Sequence, residues 1–173
     1  MAEPMPILRP ATAQDVPAMV AIYNQSVAVN TASWDTEPQT VPERRAWFEE
    51  RSAAGQAILI AEVAGRVVGW ASWGPFRGKA GYRMTREDTL YVDESARGLG
   101  VGRLLLGGLV STAREAGVHV LMAAVSHEND VSIALHEKLG FVEVGRLPQA
   151  GAKFGRWLDL VLLQLTLDDR PLP

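Results

Sequence analysis

Cysteine is missing from the 173-residue sequence, which excludes a disulfide framework, a thiolate metal site and a cysteine nucleophile. Long basic runs are missing too, and the formal net charge is −3. Nucleic acid and anionic membranes are attracted by a positive field, so neither is expected as a partner. No apolar stretch reaches the roughly 20 residues that a membrane span needs. The opening stretch, Met1 to Pro10, lacks the charged start and apolar middle of a signal peptide, so a cytoplasmic location is expected. The histidines, His119, His127 and His136, show no metal spacing such as H-E-x-x-H, and no catalytic metal is expected. Repeats, low-complexity tracts and separating linkers are also lacking.

What is present is ordinary for a globular domain: 47% apolar and 21% charged residues. The length suits one domain over 1–173. A short strand is predicted at Ile7 to Pro10. Thr12 and Asp15 resemble a capping box, with Asp in place of the usual Glu or Gln, opening a helix with Val16, Met19, Val20, Ile22 and Tyr23 on its apolar face. Thr40 and Glu43 form a second such box, for a helix to about Ala54. Strands from Ala57 to Val63 and Val67 to Trp73 flank the tight turn Ala64-Gly65 and form a hairpin. Pro75 to Thr85 reads as a glycine-bearing basic loop. A strand at Thr89 to Val92, a helix from about Leu99 to Ala116 and a strand at Val118 to Val125 make a βαβ unit, whose strands should be parallel. A helix at Val131 to Leu139 and strands at Phe141 to Val144 and Leu158 to Thr166 complete the order β-α-α-β-β-β-α-β-α-β-β. Such an α/β order needs a mixed sheet covered by helices.

Between strand and helix lies a turn running from Arg97 to Arg103, with Gly98, Gly100 and Gly102. Glycine permits positive φ and close backbone approach. A helix N-terminus offers free N–H groups and partial positive charge to a phosphate. The spacing G-x-G-x-G fits neither the Rossmann fingerprint nor the Walker loop. Taken alone, the glycines serve a phosphate cradle or a plain turn equally well.

The stretch Leu90 to Gly102, with Arg97, Gly100 and Gly102 in place, resembles motif A of the GNAT superfamily of acyl-CoA N-acyltransferases. Asn129 followed by Ala134 to Phe141 resembles a second signature of that superfamily. Gly74 to Arg77, Gly81 to Arg83, Thr85, Glu87, Tyr91, Val92 and Lys153 to Asp159 are similar to the phosphinothricin and methionine sulfoximine/sulfone acetyltransferases, as are Ile22 to Asn24 and Thr31 to Trp34. The similarity runs from about Ile7 to Asp168. It implies a splayed mixed β-sheet with helices on both faces, acetyl-CoA as co-substrate, a small amino-acid-like amine as acceptor, and a homodimer.

The resemblance also assigns roles. Glu87 stands at the family's proposed catalytic glutamate and would take the ammonium proton, directly or through water. The Val92 N–H would stabilise the thioester oxygen as charge builds on it. Leu90, Tyr91 and Val92 would pair with the pantetheine arm as a strand edge does. Arg97 and the amides of Gly98, Leu99, Gly100, Val101, Gly102 and Arg103 would hold the pyrophosphate. Asn129 and Ser132 would bind the cofactor arm, and an N-cap role for Asn129 is compatible with that. On the acceptor side stand Arg77, Gly78, Lys79, Glu87, Asp88 and Thr89, with Arg77 pairing with a carboxylate. Close relatives commonly carry histidine where Asp88 stands. His136 replaces a tyrosine that protonates the leaving thiolate in many superfamily members; it donates a proton in its place or serves as a satisfied helix histidine. Trp34 and Tyr82 are candidates for pocket walls or for packing, and Lys153 to Asp159 for a folded edge or a dimer contact. Two other readings remain: an N-acetyltransferase for a polyamine, aminoglycoside or protein N-terminus, and a noncatalytic acyl-CoA-binding module.

Overall fold

The computed structural model describes residues 5–171. Strand β1 (Ile7–Pro10) leads to α1 (Val16–Val29) and α2 (Val41–Ala53). Strands β2 (Ile58–Val63), β3 (Arg66–Pro75) and β4 (Thr85–Val92) follow, then α3 (Val101–Glu115), β5 (Val120–Ser126), α4 (Asp130–Lys138), β6 (Val142–Lys153) and β7 (Arg156–Thr166). The element order is the one expected from the sequence. Both capping boxes form: the Asp15 carboxylate accepts from the Thr12 N–H at 2.7 Å, and Glu43 from the Thr40 N–H at 2.7 Å. The first box opens a single 3₁₀ turn, Ala13–Asp15, which passes into α1. The β2–β3 turn places Ala64 at φ 49° and Gly65 at φ 78°. Two consecutive positive φ values match the right-handed twist of the flanking strands, as a tight hairpin requires.

The strands form one sheet in the order β1-β2-β3-β4-β5-β7-β6. Every neighbouring pair is antiparallel except β4 and β5, which are parallel as the βαβ reading expects. That central pairing is short. It joins Thr85 to Val120, Arg86 to Leu121 and Glu87 to Met122, and then stops. Beyond Glu87 the two halves of the sheet diverge, so the sheet is splayed.

Helices cover both faces. On one, α1 and α2 pack Val16, Met19, Tyr23 and Phe48 against Ile58, Ile60 and Trp70. On the other, α3 packs Val101, Leu105, Leu106 and Leu109 against Leu59, Val68, Leu121 and Val161, with α4 alongside. At about 2 kcal/mol for each fully buried large aliphatic side chain, these faces supply the drive that holds the halves of the sheet together.

Two strands are longer than the sequence suggests. β4 begins at Thr85, four residues before the expected start, because the charged residues Arg86, Glu87 and Asp88 pair with β3 across Pro75, Gly74 and Trp73. β6 continues to Lys153 rather than ending at Val144. Gly145, Pro148 and Gly151 hide its pattern; the register shifts there, Gln149 takes φ 54°, and the strand lies at the sheet edge, where proline and bulges are tolerated.

Candidate active site

Strand β4 is the axis of the site. The Asp93 N–H donates to the Val68 carbonyl at 2.9 Å, and Val92 faces Gly69 in register. In an antiparallel ladder this fixes the alternation: the N–H and C=O groups of Tyr91, Thr89 and Glu87 point to β3, and those of Val92 and Leu90 point away from it. The strand on that other side, β5, has already left the ladder. Leu90 and Val92 therefore present a free strand edge to the gap. Across it, Ala124 is exposed although it lies in the middle of a central strand, as expected where a sheet opens.

The glycine turn closes one end of the gap. Gly98 and Gly100 both hold φ 80°, and Gly100 is the N-cap of α3 in the left-handed conformation. A side chain at either position would strain the turn. Gly102 has a different reason: a Cβ there would sit 3.1 Å from Leu135 of α4 and 4.0 Å from Val92. The first turn of α3 is thus drawn against the end of β4, with its unpaired amides beside the free strand edge. Arg97 is exposed and pairs with Glu94 at 3.6 Å; Leu99 and Arg103 are exposed as well, whereas Val101 is buried. On the opposite lip, the Asn129 side chain accepts from the Ser132 N–H at 3.2 Å and caps α4. The residues present fit an extended, amide-rich ligand ending in a diphosphate: a free strand edge leads to a glycine-built helix mouth.

The other end of the axis is acidic. Residues alternate across a strand, so Glu87, Thr89 and Tyr91 face α1 and α2, while Asp88, Leu90 and Val92 face α3 and α4. Glu87 opens on a cavity of about 270 Å³, walled by Trp47, Trp70 and Tyr91, with Thr89 on the same face. Burial, together with the neighbouring charge of Asp88, pushes the Glu87 carboxyl above its ordinary range; the Arg77 and Arg51 charges only partly offset this. A base of this kind holds its proton to higher pH than a solvated glutamate.

Three residues of α2 that the sequence did not single out reach this cavity: Trp47 and the arginines Arg44 and Arg51. Arg44 is 4% exposed, and its guanidinium lies 4.7–4.8 Å from the ring centroids of Tyr23, Trp47 and Trp70. Each such stacking contributes roughly 0.5–2 kcal/mol, against several kcal/mol for taking the ion out of water, so the aromatic box makes a charged Arg44 tolerable. Arg51 stacks on Trp47 at 4.7 Å. The signal was the inward spacing of Arg44, Trp47, Phe48 and Arg51 on a helix whose remaining residues are mostly polar.

Asp88, expected at the acceptor, lines the same cavity as Glu87, but one oxygen of its carboxylate is turned toward α4 while the other, Oδ2, is buried without a partner among the described residues. Oδ1 is 3.3 Å from Nε2 of His136, with the two side chains 4% and 2% exposed. The ring's Nδ1 lies 2.7 Å from the Ser132 carbonyl, and Phe141 meets the ring edge-on at 4.9 Å. Burial alone lowers the histidine pKa, but the hydrogen bond and charge of Asp88 and the Ser132 carbonyl outweigh it, and the net shift is upward. Both ring nitrogens are engaged, so His136 is the satisfied helix histidine, tied to the core strand.

The remaining candidates divide. Arg77, Gly78 and Lys79 sit on an exposed loop, and Arg77 stacks on Phe76 at 5.1 Å. Tyr82 is exposed and meets Phe76 edge-on. Trp34 packs over Gly151 of β6, where a Cβ would approach its ring to 2.3 Å. Lys153 is buried, and its ammonium donates to the carbonyls of Asn30 and Ser33 at 2.9 and 2.7 Å, tying the end of β6 to the C-terminus of α1. No group of three or more His, Cys, Asp or Glu side chains that could hold a metal ion occurs among the described residues.

A split mixed sheet with a glycine-built helix mouth on one side and a half-buried glutamate on the other defines an acyl-transferring enzyme of the class that the motifs resemble. The chain belongs to the acetyltransferase (GNAT) family, whose model matches residues 19–141. It is 46% identical over 162 residues to the L-methionine sulfoximine/L-methionine sulfone acetyltransferase of Pseudomonas paraeruginosa, covering 93% of this chain and 94% of that one. It is 40% identical to the phosphinothricin N-acetyltransferase of Alcaligenes faecalis, over 92% of this chain and 82% of that one. Among solved structures, a putative acetyltransferase from Salmonella typhimurium, determined with its cofactor acetyl-CoA, superposes with a TM-score of 0.95 at 40% identity, covering 97% of each chain.

Proposed function

We propose that the chain is a single-domain, cytoplasmic, acetyl-CoA-dependent N-acetyltransferase that acetylates the amine of a small amino-acid-like acceptor of the phosphinothricin, methionine sulfoximine or methionine sulfone type by direct transfer. The observation that carries this reading is the separation of β4 from β5 immediately after Glu87. One strand thereby carries a free edge for an amide-rich arm, at Leu90 and Val92, and a half-buried base for an amine, at Glu87, three residues before that edge begins. The names of the relatives support the acceptor class.

In this reading acetyl-CoA supplies an activated acetyl thioester. Leu90 and Val92 pair with the arm, and the Val92 N–H donates to the carbonyl oxygen as negative charge builds there. The amides of Gly98 to Arg103 hold the diphosphate, with Asn129 and Ser132 on the opposite lip. Glu87 removes the ammonium proton and frees the lone pair for attack. Its raised pKa matches that task, since a base works best when its affinity for protons lies closer to the working pH. Arg77, Gly78 and Lys79 form the rim through which the acceptor enters. Exposed Val144, Leu147 and Trp157 on β6 and β7 support a homodimer formed through this end of the sheet.

Thiol release from acetyl-CoA, followed against a panel of amines, tests the reading. Methionine sulfone and phosphinothricin should outrun spermidine and kanamycin in kcat/KM, and Glu87→Gln should abolish most of the turnover. Preference for a polycation, or coenzyme binding with no acceptor-dependent thiol release from any amine, overturns it.

A further inference from the structure

The cavity in front of Glu87 contains two guanidinium groups, and neither forms an ion pair among the described residues; the charges of Glu50 and Glu87 favour the cationic form of Arg51 without outweighing its burial. Arg44 and Arg51 are seven residues apart on α2, which places them on one face and about 10 Å apart along the axis. Arg44 is buried among three aromatic rings. Its guanidinium donates to the Gln39 side chain, and its Nε, also buried, has no acceptor. The acidic groups nearest it are held elsewhere or stand apart: Asp35 is engaged by the Tyr23 hydroxyl, and Glu87 forms no ion pair with any residue among those described. Arg51 makes no side-chain hydrogen bond or ion pair among the described residues. Packing alone holds it, between Trp47 and the bare backbone of Gly74, where a Cβ would lie 1.9 Å from its Nη1. Gly74 is the register partner of Glu87. The sequence thus spends a glycine to seat an unpaired guanidinium beside the base.

A guanidinium fixed by packing with its donors free presents the planar fork that a carboxylate fits. An amine and a carboxylate on one carbon are separated by only two bonds, so a carboxylate on Arg51 brings its amine to Glu87. The rest of such an acceptor would run along the Trp47 face toward Arg44, which lines the same cavity and whose guanidinium makes a single side-chain hydrogen bond among the described residues, to Gln39. We propose that Arg51 receives the α-carboxylate of the acceptor and Arg44 the oxygen at the far end of its side chain, so that the cavity selects amino acids ending in a phosphinyl, sulfonyl or sulfoximine group. This assignment rests on the reading that an amino-acid amine is acetylated at Glu87, and it moves the carboxylate from the exposed Arg77 to α2.

Steady-state kinetics with matched acceptors tests it. Arg51→Gln should raise KM for methionine sulfone by about thirtyfold, and for 3-(methylsulfonyl)propylamine, which lacks the carboxylate, by less than about threefold. Arg44→Lys, which keeps the charge but loses the planar guanidinium fork, should raise KM for methionine sulfone by about tenfold and leave KM for methionine, which lacks the oxygens, within about threefold. A second measurement needs no variant: methionine sulfone should raise the thermal midpoint of the wild-type protein more than equimolar methionine does. Equal losses within either acceptor pair, selective loss of carboxylate acceptors on Arg77→Ala rather than Arg51→Gln, or equal protection by sulfone and thioether overturns the assignment while amino-acid acetylation stands. A wild-type enzyme that prefers spermidine or kanamycin to every amino acid overturns the reading beneath it.

Discussion

Glu87 and Asp88 are consecutive carboxylates on one strand, and the sheet gives them different lives. Glu87 points toward α1 and α2, into an open cavity with two arginines, and has no ion-pair partner among the described residues. The Asp88 carboxylate points toward α3 and α4, where His136 meets Oδ1 at 3.3 Å and Oδ2 is buried without a partner among the described residues. Strand alternation sends neighbours to opposite faces, and the faces here differ in solvent, charge and packing. A carboxylate without a partner beside a cavity is available for proton transfer, whereas a buried and paired one fixes α4 to the central strand. Proximity in sequence to a catalytic position is therefore no guide to role within a strand.

The comparison breaks if the two residues respond alike to mutation. Glu87→Gln should lower kcat/KM by about 10²- to 10⁴-fold, the usual worth of a general base, with thermal stability unchanged. Denaturant unfolding should show the reverse for Asp88→Ala, which strands His136 in the core and should cost about 3 kcal/mol. An Asp88 variant that folded as firmly as wild type and lost as much activity as Glu87→Gln would merge the two roles.

The pH dependence sharpens the contrast. The rate should rise as Glu87 loses its proton, with the limb above the ordinary glutamate value of about 4.3, because burial raises its pKa. The His136 pair acts on stability with the opposite sign. A histidine whose folded pKa is raised stabilises fully below its unfolded value of about 6.5 and loses that contribution as pH rises through the folded value. Asp88→Asn should therefore cost most stability in mildly acidic solution and progressively less as the pH is raised. Proton NMR of the His136 ring should show its pKa falling in that variant.

Smaller effects follow at the two ends of the site. Gly100→Ala forces a side chain into φ 80° and should cost about 1–2 kcal/mol, with a raised KM for acetyl-CoA and an unchanged KM for the acceptor. Gly102→Ala presses only on the end of the Leu135 side chain and should cost less. Arg77→Ala, at an exposed position, should change acceptor KM by less than about threefold in the same thiol-release assay.

Much of this protein is legible in its residue order. The capping boxes at Thr12 and Thr40, the Ala64-Gly65 hairpin and the glycine turn all depend on neighbours a few residues away, and all form as read; the βαβ unit also forms, because a strand-helix-strand order leaves the parallel pairing as the natural return. The beginning of β4 at Thr85 and the long β6 were not legible, because charged, glycine and proline residues are stabilised there by pairing with distant strands rather than by local propensity. Motif similarity pointed to Glu87, but Arg44 and Arg51 carried no local motif. Their role appears only when α2 is laid across β3 and the missing side chain of Gly74 admits a guanidinium.

Sequence alone determined the elements, their order and the helix mouth, because short-range hydrogen bonding and backbone sterics decide these. Tertiary structure alone decided where β4 and β5 part, which of two adjacent acids pairs with a histidine, and which arginines stand beside the cavity, because each depends on contacts between segments tens of residues apart.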